Sequence, residues 1–231
     1  MKLLGHYLSP FTRRVAVSLH ALGIPFDLEE LSVIREPERV RPHNPLLRIP
    51  TLLLDDGAAL IESDAILDEI DQMAGPDRAL VPSAGPQRRA VMQLTAFALA
   101  SMDKMQWAFY ERRFRPEEKV HQPWIDHNEA QALGGLRHLD RVASGATGWL
   151  AGTACMTQAD VTTAVAVSFI TLVRPELHDV VPHLCAFAAR CEQLPAFRSA
   201  QMPASLPGRP GVWVGSDYGK LAESEKSPPR P

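Results

Sequence analysis

The chain has 231 residues, 45% of them hydrophobic and 22% charged, with a formal net charge of −3. That apolar share is ordinary for a folded protein and excludes disorder over most of the length, while the length itself allows one large domain or two small ones. The charge is −5 over the first 80 residues and +2 over the rest, so neither part carries the basic excess that nucleic-acid phosphates require.

In chain order, Lys2 to Tyr7 is a short strand-like run. Pro10 to Leu22 reads as a helix, with Val15, Val17, Leu19 and Leu22 apolar, Gly23 as its stop and Pro25 just beyond. Phe26 to Leu31 alternates apolar and acidic residues, the pattern of a half-buried strand. A loop or short helix follows. Ile49–Leu54 and Ala58–Ile61 then flank Asp55-Asp56-Gly57, a hairpin signal, and Ser63 to Met73 is a helix with Ile66, Leu67 and Ile70 on one face.

From about residue 75 the texture changes. Gly75-Pro76 and the stretch from Pro82 to Pro86 read as a linker. Beyond it no segment reads as a strand. Val91, Leu94, Ala98, Met102, Met105 and Phe109 step by three or four, as do Leu133, Leu136, Leu139 and Ala143, giving two amphipathic helices. Ala159 to Val173 is apolar nearly all round and therefore central, and a fourth helix runs from about Val181 to Leu194. The expected division is 1–76 mixed, 77–86 linker, 87–202 all-helical and 203–231 a polar, Pro- and Gly-rich tail.

The most apolar stretch, 159–173, is interrupted by Asp160, Thr162, Thr163, Ser168 and Thr171 and is too short for a membrane span. Cys155, Cys185 and Cys191 have neither zinc spacing nor an even-numbered framework, and no signal peptide opens the chain. The expected compartment is a reducing cytoplasm, with the thiols as buried small hydrophobes. The eight histidines show no metal-ligand spacing, and the alternating charges from Glu111 to Lys119 read as a solvated face.

Three short motifs could carry chemistry. Ser9-Pro10-Phe11-Thr12 joins the first strand to the first helix. Ser9 there is an N-cap and Pro10 the favoured first helical residue, but a hydroxyl at the positive end of a helix also suits a bound thiolate. An ordinary thiol needs a shift of about two pH units, roughly 2.7 kcal/mol, to be mostly ionised at pH 7. One charge-assisted hydrogen bond of about 1.5–3 kcal/mol together with the helix terminus can supply it. In Arg48-Ile49-Pro50-Thr51-Leu52, Pro50 opens a strand; a trans bond is the commoner outcome, and a cis bond would turn the Ile49 backbone outward toward an extended peptide. In Glu62-Ser63-Asp64, a serine and free amides at a helix start suit a carboxylate, and Glu62 suits an ammonium.

Taken together, strand–Ser9-Pro10-Phe11–helix, His43-Asn44-Pro45 leading to Ile49-Pro50-Thr51-Leu52, and Glu62-Ser63 before a helix resemble the glutathione transferase family. Thr157-Gln158-Ala159-Asp160 looks like the capping box that opens the central helix of that family's second domain. The resemblance implies a thioredoxin-like α/β domain followed by an all-α bundle, a homodimer, and glutathione as cosubstrate without a metal. It implies that Ser9 holds the sulfur, that Ile49 and a cis Pro50 pair with the cysteinyl part, and that Glu62 and Ser63 hold the γ-glutamyl group. Phe11 and Arg13 would lie beside the sulfur, and Arg35 and His43 are candidates for the glycyl carboxylate. Leu46-Leu47-Arg48 departs from the small or basic residue common in that loop. Relatives in which the first domain works as a glutaredoxin carry Cys-Pro-x-Cys, and Ser9 and Thr12 replace both thiols here. The implied activity is conjugation of glutathione to a hydrophobic electrophile, as in detoxification. A glutathione-dependent isomerase or lyase, or a non-catalytic binding protein, are the alternatives on the same scaffold. Met102, Met105, Phe109, Tyr110 and Arg113 divide between the helical core and the wall of the cleft that would hold the electrophile.

Overall fold

The computed structural model describes residues 1–206. The tail expected over 203–231 falls almost wholly outside them. Four strands, β1 (Lys2–Gly5), β2 (Asp27–Glu30), β3 (Thr51–Leu53) and β4 (Ala59–Ile61), form one sheet in the order β2-β1-β3-β4. The β1–β2 pair is parallel, and the other two pairs are antiparallel. Helices α1 (Pro10–Leu22), the single-turn α2 (Pro37–Val40) and α3 (Ser63–Ala74) connect and cover it. Helices α4 (Gly85–Phe114), α5 (Gln122–Gly145), α6 (Gln158–Val173), α7 (Pro182–Cys191) and α8 (Pro195–Ser199) follow. This is the thioredoxin-like mixed sheet followed by a helical region that the sequence suggests.

Local chemistry explains where the elements start and stop. Ser9 caps α1 and Pro10 fills its first position. Gly23 closes α1 in the left-handed conformation (φ 66°), with Ile24 N–H reaching Leu19 O at 2.9 Å and Gly23 N–H reaching His20 O at 3.2 Å, which satisfies the last carbonyls. Strand β3 begins at Thr51 rather than Ile49 because Pro50 has no N–H to give the ladder. The hairpin turns at Gly57 (φ 90°), where Ala58 N–H donates to Asp56 Oδ1 at 2.9 Å. The helix expected from about Val181 to Leu194 is α7, Pro182–Cys191, and Pro195 opens the further short helix α8.

Helix α6 is buried along most of its length, from Gln158 through Val167, and packs against α4, α7 and α1. Its start is fixed by the expected capping box. Asp160 Oδ2 accepts from Thr157 N–H at 2.8 Å and from the Thr157 hydroxyl at 2.7 Å, while Oδ1 accepts from Leu150 N–H at 2.8 Å. Helices α4 and α5 approach closely at Gly135, where a Cβ would run into Ser101 Oγ. One apolar cluster runs from Val15, Leu19, Ile66 and Ile70 of the sheet-bearing part into Met102, Leu136 and Val165 of the helices. Met102 and Met105 therefore belong to the core, with 0% and 1% exposure. Cys185 and Cys191 are buried as expected, but Cys155 is exposed, because it sits in the loop before α6 and not on a helix. Among the described residues, no helix is long and apolar enough to cross a membrane.

Candidate functional site

The sheet register brings the three motifs to one place. Gly5, the last residue of β1, is followed by His6 to Ser9; its neighbour Leu4 pairs with Thr51, the first residue of β3, and Thr51 pairs with Ile61, the last of β4. The Ser9 loop, the Ile49-Pro50 turn and Glu62-Ser63 thus leave the same end of the sheet. Residues 9, 49 and 62, far apart in sequence, become neighbours by strand polarity alone.

At Ser9 the backbone is held from both sides. Its N–H is shared between His6 O at 3.0 Å and His6 Nδ1 at 3.2 Å, and its carbonyl accepts from Arg13 N–H at 2.9 Å. The hydroxyl oxygen accepts from Thr12 N–H at 3.4 Å, a long contact that uses a lone pair and leaves the hydroxyl hydrogen free to donate elsewhere. The residue is half-buried, so a ligand can reach it. Burial lowers the pKa of the nearby His6, opposed by Glu30, and raises that of the half-buried Tyr7.

The Ile49–Pro50 bond is cis. Among the described residues, no hydrogen bond uses the Ile49 amide or carbonyl. Asn44 shapes the preceding loop, its Nδ2 donating to Arg48 O at 2.9 Å and Thr51 Oγ1 at 3.2 Å while its Oδ1 accepts from Leu46 N–H at 3.0 Å. Asn44 is wholly buried.

At the third motif, the cap position of α3 is Glu62 and not Ser63, which is the first helical residue. Glu62 has φ 64°, a left-handed conformation that lifts the chain into the helix, and its carboxylate meets the Arg48 guanidinium at 2.9 Å with both side chains about half exposed. The Ser63 hydroxyl is buried and accepts from Arg14 Nη1 at 3.1 Å, a nitrogen that also reaches Asp64 Oδ1 at 2.8 Å. Arg14, only 1% exposed, thereby ties α1 to the start of α3, and burial pulls its pKa down against the support of Asp64.

The other sequence candidates differ in burial. Arg35 and His43 are exposed on the segment between β2 and β3. Phe11 is half-buried against the apolar core. Arg13 joins the sheet-bearing part to the helices. Its guanidinium is buried between the two parts of the chain, with Nη1 and Nη2 on Glu192 at 2.7 and 2.5 Å and Nε on Ala200 O at 2.8 Å, and it lies over the Phe197 ring. As the fourth residue of α1, Arg13 faces the C-terminal ends of α7 and α8. Toward the end of α4, Phe109 and Tyr110 remain partly accessible, Trp107 stands edge-on to Tyr110, and the Arg113 guanidinium lies over Phe109. Crowding raises the Tyr110 pKa, opposed by Gln106 and the positive charge of Arg48.

Residues 3–78 match the family described as glutathione S-transferase, N-terminal domain. Over nearly its whole length the chain superposes on a glutathione S-transferase of Methylobacterium radiotolerans solved in complex with glutathione sulfonate, with a TM-score of 0.82, 26% identity, and coverage of 91% of this chain and 99% of that one. Residues 3–78 belong to the N-terminal domain family of glutathione S-transferases, and the chain as a whole has the fold of its solved members. A Methylobacillus flagellatus member solved with glutathione bound gives a TM-score of 0.80 at 27% identity, covering 87% of this chain and 99% of the other. Among curated relatives, glutathione S-transferase U4 of Arabidopsis thaliana is 36% identical over 73 residues, which span 32% of this chain and 33% of that protein. Maleylacetoacetate isomerase of Pseudomonas aeruginosa is 29% identical over 161 residues, 66% of this chain and 73% of the isomerase. The match to the plant protein thus spans only about a third of either chain.

Proposed function

We propose that the protein binds glutathione at the shared end of the sheet, ionises its thiol at Ser9, and adds the thiolate to an electrophilic carbon of a hydrophobic second substrate. The observation that carries this reading is the convergence of Ser9, the Ile49 backbone and Glu62-Ser63 at one sheet end. Residues 1–76 would form the glutathione domain, 77–86 the linker, and 87–202 the helical domain.

In this reading the cysteinyl part of glutathione pairs with the Ile49 amide and carbonyl as an added strand. The γ-glutamyl carboxylate meets Ser63 and the first amides of α3, and its ammonium competes with Arg48 for Glu62. The Ser9 hydroxyl donates to the sulfur, favouring the thiolate over the thiol without any protein base. The thiolate then forms a carbon–sulfur bond as the leaving group departs with its electron pair, or as a double bond takes up the charge and a proton. Phe109, Tyr110 and Arg113 form the wall that the electrophile approaches. Catalysis rests on thiolate stabilisation and proximity. The exposed Leu46, Met73 and Met92 support pairing with a second copy, and the protein would act in the cytoplasm.

Ser9→Ala tests the reading. Glutathione affinity should survive while the bound thiol's pKa, followed by thiolate absorbance, rises by about one unit from the loss of one charged hydrogen bond. An unchanged thiol pKa with full activity removes Ser9 from the mechanism. The similarity to the isomerase supports a second reading, in which glutathione adds to the substrate and leaves again unchanged. Product analysis separates the two, since conjugation leaves a stable thioether and isomerisation returns free glutathione.

A further inference from the structure

Ser9 is held less by its side chain than by its backbone, and among the described residues the imidazole of His6 is the one side chain that grips that backbone. The Ser9 N–H is 3.2 Å from His6 Nδ1 and 3.0 Å from the carbonyl of the same residue, a three-centre bond that closes the turn between β1 and α1. The hydroxyl's own contact to Thr12 N–H, at 3.4 Å, is too long to orient it firmly. What aims the hydroxyl is therefore the position of the Ser9 backbone.

We propose that His6 is a positioning residue for thiol activation: its imidazole accepts the Ser9 N–H at Nδ1, keeps its proton on Nε2, and so fixes the hydroxyl where the glutathione sulfur arrives. The proposal rests on the reading of Ser9 given above. It requires the neutral imidazole in one tautomer, because a proton on Nδ1 would face the Ser9 N–H as a second donor. Burial of His6 favours that neutral form, with Glu30 acting against it.

The chemistry picks its own controls. An asparagine at position 6 places an amide oxygen at the same remove from the backbone as Nδ1, and a leucine fills similar space with no acceptor. With glutathione bound, His6→Asn should keep the thiol pKa of the unchanged protein. His6→Leu should raise it by about half a unit or more, with glutathione affinity altered less than threefold. Rescue by asparagine separates positioning from packing, since both variants replace the ring. Equal shifts in the two variants, or no shift in His6→Leu, overturn the proposal. Ser9→Ala in the same titration distinguishes the failures. If it shifts the thiol and His6→Leu does not, the His6 proposal alone fails; if Ser9→Ala shifts nothing, the reading of Ser9 fails and takes this proposal with it. Should His6→Leu not fold, the imidazole nitrogen resonances of the unchanged chain decide, since Nδ1 must be the unprotonated nitrogen and a proton found there refutes the arrangement.

Discussion

The contact between Arg13 and Glu192 offers an asymmetry that can be measured. Arg13 is 1% exposed and Glu192 27% exposed, so the two partners stand to lose different amounts when the other is removed. In Glu192→Ala the guanidinium stays buried with two of its three hydrogen bonds gone. Breaking a buried pair costs about 3–5 kcal/mol, and the partial exposure of Glu192 puts the expectation at the lower end, about 3 kcal/mol. In Arg13→Met the charge leaves with the side chain and most of the stem volume remains. Glu192 can turn toward water while still accepting from the Ser168 hydroxyl at 2.6 Å, so the cost is mainly the Ala200 carbonyl left without its donor, about 1–2 kcal/mol. At about 2–4 °C per kcal/mol for a chain of this size, Glu192→Ala should lower Tm by roughly 6–12 °C and Arg13→Met by about a third to two thirds as much. Urea unfolding of both variants and of Arg13→Met/Glu192→Ala completes the cycle, with the double variant expected to lose less than the sum of the two single losses. Equal losses, or a larger loss for Arg13→Met, would show that the guanidinium is not the stranded charge and refute the reasoning.

Two further expectations concern the helical region. Asp160→Asn offers one carbonyl oxygen where the carboxylate satisfies donors on both of its oxygens, and turns an amide N–H₂ against either Leu150 N–H or the Thr157 donors. The expected cost is about 2–4 kcal/mol, read as a lower urea midpoint at unchanged slope, and a variant of unchanged stability would sink the assignment. The thiols should separate by accessibility. Cys155 is exposed, whereas Cys185 and Cys191 are buried, with burial raising the Cys185 pKa and pushing Cys191 up to about 12. At pH 8 a disulfide reagent should therefore label one thiol per folded chain quickly and the other two only on unfolding, and Cys155→Ser should abolish the fast phase. Two fast thiols in the native chain would contradict the packing of α7.

How much of this was legible depends on the range over which each feature is determined. Helix α1, the Asp55–Gly57 hairpin, α6 and its Thr157–Asp160 box are set by residues within one or two turns of each other, and the sequence pattern locates them closely. The five-residue α8 is too short to show a period, and only Pro195 at its first position marks it. The convergence of residues 9, 49 and 62 follows from strand order and polarity, which no local pattern contains, and it came into view only through the family resemblance of the three motifs together. Arg13 and Arg14 carry no local signal either. Each looks like a solvent-facing charge at a helix start, and only the partners Glu192, Ser63 and Asp64, brought in by packing, account for two guanidinium groups at 1% exposure. His6 escaped notice for the same reason, since a histidine ending a strand has many uses and its acceptor role depends on a tautomer.

These long-range partners matter for the role proposed for Ser9, because a serine is a weak device for stabilising a thiolate. Its hydroxyl rotates freely, and its one contact here is long, so useful donation depends on where the Cα is held. Four groups fix that position. His6 grips the N–H, Arg13 N–H grips the carbonyl, and the side chains of Arg13 and Arg14 pin the first turn of α1 to the helical region and to the start of α3 respectively. Gly5 sets the approach from the other side. Its φ is 146°, and a Cβ there would come within 2.5 Å of Thr12 Oγ1, so a side chain at position 5 would push α1 away from β1. The rigidity that the Ser9 side chain lacks is supplied here by its surroundings. It follows that losses of thiol activation should arise from changes that leave Ser9 itself untouched, and that they should concentrate in the first turn of α1 and the strand end before it.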